Sequence, residues 1–274
     1  MSVNALALAI AFTSGLACQR ATVADPAAEA AAQLHLAHVM RTLIPDGFGV
    51  ESAVAITTHL DLADEQVFTR HDSADIATRP AGLATVATLL AGLRSGLITA
   101  SSRHACNGYD CWRAHGEIGP ADALAFACNN FFEDLAGRVG SSALAAAFQS
   151  LGIDPPPIPE DRAARSRLAT HSEHWSLTPR AALRMAQALA RKPAPWFELL
   201  DEAVLPRVGS PGPLRGSASS DNASGWFVGY ATTPDDRLVV VRVAGCTGSC
   251  AVAAIRVARW TVEHVRAPRT PSHR

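Results

Sequence analysis

Apolar residues along this chain recur with two different periods, and those periods sort it into helices and strands. From Leu83 to Leu93 they return every three or four positions, which predicts a helix. Pro80 sits in its first turn, where the missing N–H costs nothing, and Gly96 closes it. The same pattern predicts a helix from Pro120 to about Val139, ended by Gly140, and a short one over Ser142 to Leu151. Thr178-Pro179 reads as an N-cap followed by proline at the first helical position, opening a helix to about Ala190. Further helices are predicted over Ala27 to Leu43, ending at Pro45-Asp46-Gly47, and from Cys250 to about Val265. Strand patterning covers Val50 to Thr58, Gly225 to Thr232 and Arg237 to Ala244, the last two joined by Thr233-Pro234-Asp235-Asp236. Leu60 to Arg79, Ser101 to Gly119, the Pro-rich crossing Pro155 to Pro159 and the Gly/Pro/Ser-rich Val208 to Ala223 read as loops. Strands near both ends with helices between them predict an α/β domain of the α+β type, with an antiparallel sheet flanked by helices. No internal repeat or linker interrupts it, so residues 19–265 are expected to form one domain, followed by a basic tail over 266–274.

Composition changes this picture little. A hydrophobic fraction of 48% with 18% charged residues is that of a globular protein. The net charge of −1 excludes a general electrostatic grip on nucleic acid or an anionic membrane. The N-terminus adds more. Residues Ala5 to Ala17 form an apolar run too short to span a bilayer, followed by Cys18 and the polar Gln19-Arg20. The first 18 residues read as an export leader, as a lipoprotein leader lipidated at Cys18, or as an ordinary N-terminal helix. Gly15-Leu16-Ala17-Cys18 resembles a lipoprotein box with Gly where Leu is usual, but no Lys or Arg precedes the run. Of the six cysteines, Cys106 and Cys111 lie five apart and Cys246 and Cys250 four apart, spacings that permit two local disulfides in an oxidising compartment.

The elements from Pro80 to Val265, in their order, resemble the transpeptidase domain shared by penicillin-binding proteins and class D β-lactamases. Arg79-Pro80-Ala81-Gly82-Leu83-Ala84-Thr85, with Leu89-Leu90-Ala91-Gly92-Leu93 and Gly96, is similar to that family's P-G-S-T-F-K segment and its helix. Ala123 to Phe132, with Cys128-Asn129-Asn130, resembles the segment that carries S-C-N. Thr178-Pro179 resembles the T-P before a later helix, and Gly225-Trp226-Phe227-Val228-Gly229-Tyr230-Ala231 the strand after K-T-G. The resemblance implies a β-lactamase/transpeptidase-like fold and a periplasmic or envelope location.

It also implies where the reacting groups would stand, and the residues there are wrong for the chemistry. The nucleophilic serine of S-x-x-K would fall at Gly82 and its lysine at Thr85. The serine of S-x-N would fall at Ala127, with its asparagine kept as Asn129, and K-T-G would fall at Leu214-Arg215-Gly216, with Ser217 next. Acyl transfer needs a hydroxyl made nucleophilic by a nearby base, and losing a member of such a unit costs on the order of 10^4- to 10^6-fold in rate. Lysine composition speaks independently of any alignment. The chain has a single lysine, Lys192, and Leu189 stands three residues before it, so no S-x-x-K exists. The reading is therefore a catalytically inactive domain that binds or scaffolds at the cell envelope, partnered by peptidoglycan peptides or another envelope protein. It needs no cofactor or metal and has no transmembrane span beyond the leader. Asn129, Arg215, Gly216, Ser217 and Trp226 are expected to line its vestigial groove.

Two alternatives stay open. One is a divergent acyltransferase or hydrolase using Ser217 or the His/Cys loop. The other is a small zinc protein built on His104, Cys106, Cys111 and His115. Ser220-Asp221-Asn222 spells another serine-enzyme motif but reads as a turn, and His171-Ser172-Glu173-His174 as a polar loop.

Overall fold

The computed structural model describes residues 42–59, 65–108, 116–171, 175–191, 199, 214–231 and 237–265. The expectations for the leader, Cys18, Cys111, His115, Lys192 and the basic tail lie outside them.

Among the described residues, eight strands and seven helices follow in chain order: β1 (Thr42–Leu43), β2 (Ser52–His59), β3 (Gln66–Arg70), α1 (Ala84–Arg94), β4 (His104–Cys106), β5 (Gly116–Ile118), α2 (Pro120–Ala125), α3 (Asn129–Arg138), α4 (Ser141–Ser150), α5 (Arg162–Leu168), α6 (Pro179–Ala190), β6 (Leu214–Ser220), β7 (Ser224–Ala231), β8 (Arg237–Ala244) and α7 (Cys250–His264). Short 3₁₀ turns, Asp46–Phe48 and Ala81–Leu83, precede β2 and α1. The main sheet has the order β1-β3-β2-β8-β7-β6. All its pairings are antiparallel except β1 with β3, and β4 and β5 form a separate hairpin.

The sheet is covered on both sides, which explains why every residue of β7 is buried. Val54, Ile56, Trp226, Val228, Tyr230, Leu238 and Val240 face a helical layer that includes Leu89, Phe132, Phe148 and Leu183. Ala53, Ala55, Phe227, Val239, Val241 and Val243 face α7 through Ala254, Val257 and Ala258. The antiparallel sheet flanked by helices is thus present as expected.

Five local expectations need correction, one being that Ser101–Gly119, expected as a loop, carries the paired strands His104–Cys106 and Gly116–Ile118. Thr42–Leu43 is a strand, not the end of a helix. Gln66–Arg70 and Leu214–Ser220 are strands where loops were expected. The long helix from Pro120 breaks after Ala125, because Ala127 takes a left-handed φ of 47° before α3 begins. Thr178 does cap α6, its hydroxyl accepting from Ala181 N at 3.0 Å, with Pro179 as the first helical residue.

Candidate functional site

Three pieces of backbone meet at the expected site: the 3₁₀ turn before α1, the break between α2 and α3, and strand β6. Each is held by identifiable forces. The approach to the turn, residues 72–80, is fastened to the sheet by Arg242 of β8. That guanidinium is buried, forms an ion pair with Asp72, and donates from Nη1 to Thr78 Oγ1 at 3.0 Å. Trp226 Nε1 donates to Arg79 O at 2.9 Å, and Thr78 and Leu177 exchange backbone hydrogen bonds of 3.1 and 2.8 Å. From outside, Arg180 of α6 donates to Asp75 at 2.9 Å; that bond and the adjacent positive charge hold the Asp75 carboxyl below its usual range. The chain then enters the turn through Ala81, whose φ of 47° is strained for a residue with a Cβ.

Gly82 and Thr85 occupy the turn and the first turn of α1. Gly82 N donates to Ser219 Oγ at 3.2 Å, and Thr85 Oγ1 donates back to Gly82 O at 2.6 Å. A Cβ placed on Gly82 would stand 3.0 Å from Ser219 Cβ. Ser219 therefore fills, from the opposite strand, the space that a side chain at Gly82 would need. Thr85 is buried and spends its hydroxyl proton on a backbone carbonyl, so it offers no base.

Strand β6 alternates cleanly. Leu214 and Ala218 pack with α7, which puts Arg215, Ser217 and Ser219 on the opposite face. Ser217 Oγ donates to Leu124 O at 3.2 Å and is buried. That hydroxyl ties β6 to α2, which counts against Ser217 as the nucleophile of a divergent enzyme. Gly216 has a positive φ of 141°, and a Cβ there would lie 2.4 Å from Val228 O. Close approach of the two strands alone accounts for that glycine. Beside Ser217 lies a cavity of about 10 Å³, bordered by Val86, Leu189, Tyr230 and Leu238. It admits one water and no substrate.

Ala127 and Asn129 flank the α2–α3 break, with Asn129 half-buried in the first turn of α3. The sequence reading placed Trp226 in the groove. Its side chain is instead wholly buried, with the indole N–H committed to Arg79 O, so it is a core residue.

The cysteines divide. Cys246 and Cys250 form a disulfide, Cα atoms 5.4 Å apart, across the β8–α7 turn. Cys106 Sγ lies 3.4 Å from Cys128 Sγ, and the expected Cys106–Cys111 bridge reaches outside the described residues at Cys111. Strand β4 aims Cys106 into the core, toward the α2–α3 break. His104 Nε2 makes a 2.8 Å hydrogen bond with Asn130 Oδ1, and its ring lies edge-on to Phe131. Among the described residues no group of three His, Cys, Asp or Glu side chains could hold a metal. Ser220-Asp221-Asn222 is a turn: Asp221 Oδ1 accepts from the N–H of Ala223 at 2.8 Å and of Ser224 at 2.7 Å, joining β6 to β7.

Sequence reasoning missed Ser219, which carried no motif and only its alternation with Ser217 as a signal. It also missed Arg165, a buried cation that donates to the carbonyls of Ala136, Gly137 and Val139 at the end of α3 and of Pro159 and Glu160. That arrangement satisfies carbonyls a helix end leaves open.

No protein-family model and no curated protein matches the chain. Solved structures do. A class D β-lactamase from Nostoc superposes with a TM-score of 0.63 at 18% identity, covering 79% of this chain and 94% of that one. The C-terminal domain of a penicillin receptor from Bacillus licheniformis gives 0.59 at 17% identity, covering 80% and 91%. A peptidoglycan glycosyltransferase from Burkholderia ambifaria gives 0.59 at 13%, covering 87% and 96%. At these identities the likeness is one of fold, and the fold of this chain is that of the class D β-lactamases and the transpeptidase domains of penicillin-binding proteins.

Proposed function

We propose that this chain is a non-acylating domain on the β-lactamase/transpeptidase frame, acting in binding or scaffolding at the cell envelope. The observation that carries the reading is the packing at Gly82. Its N–H is given to Ser219 Oγ, its missing side chain leaves room for Ser219, and Thr85 beside it hydrogen-bonds a carbonyl. A nucleophile and its base are both lacking from the place where the resemblance puts them. The Cys246–Cys250 disulfide supports an oxidising compartment, and the fold's other members include a penicillin receptor, which supports an envelope setting and a ligand of peptidoglycan-peptide type.

The test is incubation of the folded protein with a fluorescent penicillin, read by denaturing gel and intact mass. The expected result is no covalent adduct. A stoichiometric adduct would overturn the reading, and peptide mapping would then identify the nucleophile.

A further inference from the structure

We propose that the Cys246–Cys250 disulfide is a redox-exchange site, opened by a dithiol reductant that attacks Cys246, and that the domain stays folded when it opens. The bridge joins residues only four apart in sequence, across Thr247-Gly248-Ser249, all three exposed. A loop so short takes little freedom from the unfolded chain. Stapling the fold is therefore the least of what this bridge does.

Its two sulfurs are not equivalent. Cys246 is half-buried in the turn after β8, whereas Cys250 is buried and is the first residue of α7. The backbone of β7 lies directly against Cys250: a Cβ on Gly225 would stand 2.3 Å from its carbonyl carbon and 2.7 Å from its Cβ. Cys246 is thus the sulfur that a reductant reaches. Cys250 is the better leaving group, because the open N–H groups at the start of α7 favour a thiolate there.

Neither end of the loop depends on the bridge. Before it, Gly245 N donates to Ala223 O at 3.4 Å, Glu51 N to Ala244 O at 3.0 Å, and Thr247 N to Gly49 O at 2.9 Å. After it, Ser249 caps α7, its Oγ accepting from Val252 N at 3.4 Å and its carbonyl from Ala253 N at 3.0 Å. Ala254, Val257 and Ala258 of α7 are buried against the sheet. These contacts hold the corner with the bridge open, so the disulfide can change state inside the folded domain. That property separates an exchange site from a staple.

The chemistry is thiol–disulfide exchange with a dithiol as reductant. In the oxidising compartment inferred above, the bridge is the resting form. One thiolate of the dithiol attacks Cys246 Sγ, the Cys246–Cys250 bond breaks, and Cys250 leaves as a thiolate. The second thiolate of the reductant then attacks the reductant's own sulfur in the mixed disulfide and displaces Cys246. The two protons of the dithiol end on Cys246 and Cys250, and its two sulfurs are oxidised to a disulfide.

The experiment blocks any thiol reactive beforehand in the oxidised full-length protein, adds dithiothreitol without denaturant, and alkylates with a second, heavier reagent for peptide mapping. The expected result is loss of the Cys246–Cys250 linked peptide, one heavy label on each cysteine, and an unchanged far-ultraviolet circular dichroism spectrum. Brief exposure to glutathione, quenched in acid, should place glutathione on Cys246. The double variant Cys246→Ser with Cys250→Ser should keep the spectrum of the oxidised protein. A bridge that opens only in urea, a spectrum lost on opening or in the double variant, or glutathione on Cys250 would overturn the proposal. None of these results depends on whether a penicillin acylates the chain or on where the cell places it.

Discussion

Removing the carboxylate of Asp72 should unfasten the segment that leads into the Gly82 turn. Asp72 and Arg242 are both buried, with side-chain exposures of 6% and 4%, and Arg242 stands in a central strand between Val54 and Trp226. In Asp72→Ala the guanidinium stays in the core with only Thr78 Oγ1 at 3.0 Å and Ile76 O at 3.4 Å to accept from it. Breaking a buried pair from one side costs about 3–5 kcal/mol. Set against a total stability of about 5–15 kcal/mol, that is a large fraction. For a domain of this size each kcal/mol moves Tm by about 2–4 °C, so the expected fall is roughly 6–20 °C. Asp72 Oδ2 and Arg242 Nε have no hydrogen-bond partner among the described residues, so the intact pair is incompletely compensated. Replacing both partners, Asp72→Ala with Arg242→Met, should therefore cost less than Asp72→Ala alone. Urea and thermal unfolding followed by circular dichroism on all three variants would check this. A loss under about 1 kcal/mol in Asp72→Ala, or a double variant weaker than the single one, would refute the reasoning.

Three further outcomes follow from other contacts. Gly82→Ser should cost about 1–3 kcal/mol by overpacking against Ser219, and adding Ser219→Gly should recover most of it in urea unfolding; a neutral Gly82→Ser would show that the space is not contested. Arg165→Met strips donors from five backbone carbonyls and should destabilise by about 3 kcal/mol or more, with Arg165→Lys intermediate because an ammonium cannot span that fork. Asp75 titrates below its ordinary 3.8 in the fold because of its hydrogen bond to Arg180 and that residue's charge. Its contribution is thus fully present above that value and lost as pH falls through the lower folded one. Wild type should exceed Asp75→Asn in Tm at neutral pH by a small margin that closes in acid, and a gap that widens in acid would contradict it.

What could be read from the chain, and what could not, divides along a physical line. Helix α6 was legible because its signals are local: a capping threonine, a proline at the first helical position and an apolar stripe. Strand β8, Arg-Leu-Val-Val-Val-Arg-Val-Ala, is rich in β-branched residues and was bounded correctly. Strand β6, Leu-Arg-Gly-Ser-Ala-Ser-Ser, carries turn-forming residues and becomes a strand only because β7 pairs with it residue by residue. Strand β3 buries only Phe68, so its alternation is too faint to see. At the candidate site the contacts of Gly82 were not legible, since Ser219 reaches it across 137 positions of sequence. The contact between Cys106 and Cys128 was hidden for the same reason.

The pairing of β2 with β8 along their full length, Ser52 opposite Ala244 through His59 opposite Arg237, constrains how the protein can be made. A ribosome delivers β2 well before β8, so the centre of the sheet has to wait until everything between His59 and Arg237 has emerged. Until then β2 exposes an unpaired edge and an apolar face, the condition that invites wrong partners and chaperone capture. Joining segments so distant in sequence also makes for slow folding. Any product terminated ahead of Arg237 lacks the strand between β2 and β7, and should be cleared as an unfolded fragment instead of persisting as a smaller version of the domain.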